Sequence, residues 1–174
     1  MSSKQPLLKP QDLVIALKLS ANRESTFTFN QLARELKMSD SEIHAGFLRA
    51  EKSRLVTRRN GKMESIGPAL KEFIAHGVKY AFPSVIGAMQ RGVPTGVSAQ
   101  PLNQFFINSN EAPLVWPTPD GNTRGQSLIP LHHSVINSIQ TDSKLYELLT
   151  LVDAIRCGAA REREIAMTEI GKRL

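Results

Sequence analysis

Cysteine, aromatic residues and long apolar runs are all scarce in this sequence, and each scarcity closes off a class of protein. Cys157 is the one cysteine among 174 residues, so no internal disulfide can form, which fits a reducing compartment. Phe, Trp and Tyr make up 6% of the chain. The 41% of hydrophobic residues must therefore build a core chiefly from Leu, Ile, Val and Ala. No stretch of about 18 consecutive apolar residues occurs, which excludes a spanning helix. The opening MSSKQPLLKPQ has no apolar stretch of signal-peptide length. A cytoplasmic protein with no membrane contact is expected, either one ordinary domain or a small domain with an appendage.

Charge is distributed unevenly. The formal net charge is +6, and residues 1–80 hold all of the surplus, with 14 Lys and Arg against 8 Asp and Glu. Residues 81–130 carry 2 against 2, and residues 131–174 carry 6 against 6. A basic excess confined to one module is the footprint of a phosphate-backbone binder, because each neutralised phosphate releases condensed counterions.

The same residues predict a helix-turn-helix. Pro10 suits the first turn of a helix whose apolar stripe is Leu13, Val14, Ala16, Leu17 and Leu19. Residues 25–29 alternate in a way that predicts a very short strand, with Phe27 and Phe29 on one face. Asn30 can cap a second helix with Leu32, Ala33 and Leu36 inward. After a turn at Lys37, Met38 and Ser39, the run Ser39-Asp40-Ser41-Glu42 fits a capping box opening a third helix over residues 40–53. Asn60-Gly61 then sits between two short extended runs, the strongest local hairpin signal, and Arg58, Arg59 and Lys62 crowd its tip.

Residues 30–59 resemble the winged helix of the multiple-antibiotic-resistance-regulator (MarR) type. The pattern of that family falls on Leu32, Ala33, Leu36, Ser39, Ile43, Leu55 and Val56. The resemblance covers about 60 residues and implies a DNA-binding fold without naming a ligand. Three features depart from it: Arg54 stands where the family usually has Gly, Ala45 and Leu48 lie on the outward face of the third helix, and Asp40 and Glu42 place negative charge at its start. The first helix is short, so a dimer must be built differently from the family's long terminal helices. The residues expected to contact DNA are Ser41, His44, Arg49 and Lys52 on the third helix with Arg58, Arg59 and Lys62 on the wing. The cations would hold phosphates or enter the minor groove, and Ser41 and His44 would reach base edges.

Pro68 opens a fourth helix that runs to about Phe82. Residues 83–130 then hold seven prolines and four charges, with no lasting helix or strand period. They also hold Leu102, Phe105, Phe106, Leu114, Val115, Trp116, Leu128 and Ile129, too many large apolar residues for a disordered tether. An ordered, extended arm is expected, docked on the winged helix or on a second subunit, with Trp116 as a structural anchor. Arg91-Gly92 and Arg124-Gly125 read as two basic turns that hold carbonyls of the arm or an anionic ligand. Asp142 can cap a helix carrying Leu145, Leu148, Leu149, Val152 and Ile155, and Gly158 separates it from a second helical segment.

The expected fold class is mainly α with a small β-hairpin wing: a winged helix-turn-helix over residues 1–82, an arm over residues 83–130 and a C-terminal helical hairpin over residues 131–174. His132 and His133 are adjacent and make a poor metal pair. No catalytic motif occurs, Cys157 reads as a small packed residue, and neither enzyme activity, a cofactor nor a metal is expected. Two function classes remain. One is a transcriptional regulator that binds double-stranded DNA as a homodimer. The other is a protein-interaction module, such as an antitoxin or complex subunit, gripping a partner protein through residues 83–174.

Overall fold

The computed structural model describes residues 5–107 and 111–174. The fold is mixed α/β, with eight α-helices, an antiparallel two-stranded hairpin and a separate three-stranded sheet among the described residues. Helix α1 (Pro10–Ala21) is its axis. Every residue from Asp12 to Ser20 is buried, so this helix is covered all round rather than on one stripe. One flank meets α3 (Asp40–Lys52) and the hairpin strand β2 (Lys62–Ser65); the other meets α7 (Ser143–Cys157). Residues of the N- and C-terminal thirds therefore share one continuous core.

Burying α1 puts Asp12 and Lys18 inside, and each has found a partner from a distant element. Lys18 Nζ lies 2.6 Å from both Asp142 Oδ2 and Glu35 Oε2. Asn22 donates to the same Asp142 oxygen at 2.9 Å. The other Asp142 oxygen accepts the Leu145 amide and caps α7, as the sequence predicts.

Helix α2 (Phe29–Leu36) begins one residue before the expected Asn30 cap. Thr28 is the N-cap, in a capping box with Gln31. The expected strand over residues 25–29 is absent: the Ser25 amide turns back to the Asn22 carbonyl, and Thr28 and Phe29 are taken up as the cap and first residue of α2. Helix α3 starts at Ser39 with the predicted capping box to Glu42. Arg54, although not a glycine, adopts the left-handed φ of 61° and turns the chain into strand β1 (Val56–Arg59). Strand β1 pairs with β2 through Asn60 and Gly61, at φ 51° and 79°, as a type I′ turn requires. The fourth predicted helix is two, α4 (Gly67–His76) and α5 (Val78–Ala81), broken at Gly77.

Residues 83–130 depart most from expectation. Instead of an extended arm they form strands β3 (Ile86–Thr95), β4 (Leu114–Pro117) and β5 (Thr123–Leu128), each paired with both of the others. The fold is thus less purely helical than the sequence suggests. Trp116 anchors this sheet at 1% exposure. Its indole N–H donates to Asp153 Oδ2 at 2.7 Å, and Thr95 donates to the same oxygen at 2.7 Å. Arg156 holds Asp153 Oδ1 at 2.7 Å and reaches the Phe82 carbonyl at 2.8 Å. One carboxylate on α7 therefore ties together β3, β4 and the end of α5. After α6 (Val135–Ser138), helices α7 and α8 (Ala160–Gly171) pack as the predicted helical hairpin.

Candidate nucleic-acid interface

The face of α3 turned away from the core carries Ser41, His44, Ala45, Leu48 and Lys52, all exposed. Their spacing of three, four, seven and eleven residues makes one continuous stripe. Ile43, Phe47 and Ala50 face inward and fix the roll of the helix. This stripe ends in a cation and holds two side chains capable of hydrogen bonds to base edges, interrupted by Ala45 and Leu48.

The hairpin meets this face through an aromatic cluster. Arg58 lies with its guanidinium 5.0 Å from the Phe29 ring centre and 5.2 Å from that of Phe47. The His44 ring is 4.8 Å from Phe29. Phe29 thus carries His44 of the helix and Arg58 of the hairpin on one surface, although its alternation with Phe27 predicts only a strand. Arg59 is exposed and its guanidinium has no partner among the described residues.

Two of the expected contacts are committed elsewhere. Arg49 makes a forked ion pair with the fully buried Asp12, Nε to Oδ2 at 2.8 Å and Nη2 to Oδ1 at 2.7 Å. Hydrogen bonding to Asp12 raises the Arg49 pKa further. Releasing Arg49 to a phosphate would leave a buried carboxylate unpaired, so it serves the α1–α3 contact. Lys62 donates to the Arg23 carbonyl at 2.8 Å and sits 3.8 Å from Glu64. Its ladder partner is Arg59, so the two side chains share one face of the hairpin. Ser41, His44 and Lys52 of the stripe and Arg58 of the hairpin therefore form the common surface, without Arg49; Arg59 is exposed beside it, on the face of the hairpin that it shares with Lys62.

Of the two acidic residues at the start of α3, Glu42 is tied into the fold and stays ionised. Glu42 is held by the Ser39 amide and hydroxyl, which together keep its pKa below the usual carboxylate range. His132 Nε2 lies 4.0 Å from Glu42 Oε1, and its ring is tilted 40° against that of His133, with centres 4.1 Å apart. Burial and the nearby His133 lower the pKa of His132, while Glu42 works in the opposite direction.

The Cys157 thiol is pushed up to about 12 by burial first and by Asp153 second. Among the described residues no group of three His, Cys, Asp or Glu could hold a metal, and no helix is long and apolar enough to cross a membrane. No family model, curated protein or solved structure matches the chain.

Proposed function

We propose that the chain is a DNA-binding transcriptional regulator whose residues 10–66 act as a winged helix-turn-helix, working as a homodimer. In this reading α2 and α3 are the helix-turn-helix, α3 enters the major groove and the β1–β2 hairpin is the wing. One observation carries it: the Phe29 ring joins His44 of α3 and Arg58 of the hairpin into a single exposed surface. A winged helix needs that juxtaposition, because base reading and phosphate holding must act on one stretch of duplex. Lys52, Arg58 and Arg59 hold phosphates, and Ser41 and His44 read bases. The two-fold dimer is proposed from the geometry of paired half-sites.

Fluorescence anisotropy on a panel of duplexes tests the division of labour. Ser41→Ala and His44→Ala should change which duplexes are preferred, whereas Arg59→Ala should weaken all of them alike. Equal loss across the panel for His44→Ala would remove α3 from base reading.

A second reading, a protein-interaction module, is favoured by a different observation. Val85, Ile86, Met89 and Ile129 are 55%, 47%, 43% and 55% exposed around the β3–β5 ribbon. An apolar ribbon of that kind suits a protein partner. It leaves the α3 surface free, so a regulator that also binds a protein, as an autoregulating antitoxin does, uses both.

A further inference from the structure

The β3–β5 ribbon brings together the two arginines that the sequence places 33 positions apart. Arg91 and Arg124 are direct cross-strand partners in the antiparallel ladder. Directly opposed residues lie on the same face with Cβ atoms about 4.5–5.5 Å apart, and like charges there are destabilising. Ladder partners Met89 and Gln126, two residues further along each strand, fall on the same face. All four side chains are exposed. Neither guanidinium makes a hydrogen bond or ion pair among the described residues, so no carboxylate offsets the repulsion. The expectation that these arginines hold carbonyls of the arm is not met.

We propose that Arg91 and Arg124 are the two jaws of a phosphate site, with the Gln126 amide as a third donor. The chemistry follows from the guanidinium group. Each presents a planar fork of N–H donors matched to phosphate oxygens, and two forks from adjacent strands can grip one phosphate from two sides. Bound phosphate replaces the repulsion between the cations with attraction to a shared anion. The cross-strand ladder sets the spacing, so the site needs no conformational change. It lies on elements that make no substantial contact with α2, α3 or the hairpin, and is thus separate from the surface proposed for the winged helix. The phosphate is a diester of nucleic acid or a free phosphate or pyrophosphate group; both offer the same oxyanion.

The test has two arms on the full chain, wild type and Arg91→Ala/Arg124→Ala. In the first, pyrophosphate is titrated while the arginine Nε–H resonances are followed by NMR. Saturable shifts of two arginine signals, both absent from the double variant, are the expected result. In the second arm, affinity for duplex DNA is measured against salt. If the site takes a phosphodiester, the double variant loses roughly 5-fold or more at about 0.15 M salt and the log–log slope becomes shallower by about 1 for each copy bound, about 2 for a dimer. A Lys71→Ala/Lys79→Ala protein, with the same charge removed elsewhere, is the control and should lose less. Pyrophosphate shifts with an unchanged DNA slope assign the site to free phosphate. No arginine shift together with a DNA slope equal to the control overturns the proposal. So does a clear fall in melting temperature of the double variant, since removing two unpaired like charges should leave the melt unchanged or raise it. The pyrophosphate arm contains no DNA, so its result stands whether or not the regulator reading does.

Discussion

Replacing Asp153 by asparagine tests how the small sheet is fastened to the helical core. The carboxylate is 1% exposed and all its partners are donors: Thr95 and Trp116 on one oxygen, Arg156 on the other. An amide of the same shape offers only one oxygen, so its NH2 must face a donor whichever way it turns. Arg156, with a side chain 4% exposed, also loses its counter-ion. Breaking a buried ion pair by removing one partner costs about 3–5 kcal/mol. For a chain of this size that corresponds to a drop of roughly 6–20 °C in melting temperature. Thermal melts followed by far-UV circular dichroism and by Trp116 fluorescence would measure it, and the tryptophan signal should shift with the global transition. Adding Arg156→Met should recover part of the loss, because the unpaired cation goes with it. An Asp153→Asn protein that melts within about 2 °C of wild type would refute the argument that this carboxylate joins β3, β4 and α5.

Further consequences concern pH, packing and the reassigned arginine. Burial pushes Asp142 up, but Lys18, the Leu145 amide and Asn22 outweigh it and hold the group below its ordinary value. A depressed folded pKa contributes stability above the unfolded carboxylate range near pH 4, and that stability is lost as pH falls through the folded value. Denaturant midpoints measured from pH 7 downward should therefore fall on the acid side, and Asp142→Asn should be less stable at pH 7 yet flatter with pH; equal slopes would contradict this. Trp116→Ala should cost roughly 3–5 kcal/mol, as for truncating a buried aromatic, and wild-type emission should be blue-shifted; emission typical of exposed indole would show a loose sheet. Arg49→Ala should lower the melting temperature and leave the salt dependence of DNA affinity unchanged, because its partner is Asp12; a shallower slope would return Arg49 to the DNA contacts.

The sequence revealed structure wherever a short run of residues determines its own backbone. Ser39 with Glu42, Asn60 with Gly61 and Asp142 before α7 each satisfy local groups, and each sits where the pattern put it. Thr28 and Gln31 carried the same kind of signal, but the alternation of Phe27 and Phe29 competed with it. The three-stranded sheet was hidden for a different reason. Pro94 lies within β3, β4 ends on Pro117, and the β3–β5 register slips between Ile86 and Met89, so no period of two survives. At the candidate site, the exposed stripe of α3 followed from helical spacing. The pairing of Arg49 with Asp12, 37 residues away, could not, because it depends on how α1 is buried. The facing of Arg91 and Arg124 likewise needed the strand register.

The salt dependence of DNA binding, compared between wild type and a Lys52→Ala/Arg58→Ala/Arg59→Ala protein, tests the central claim most directly. If each copy of a dimer neutralises three phosphates through these residues, log affinity should fall with log salt at a slope of about −5. The triple variant should bind far more weakly, with a slope nearer zero, while its melt stays close to that of wild type. A wild-type protein that does not bind duplex DNA at about 0.05 M salt, or a triple variant with the same affinity and slope as wild type, would contradict the account.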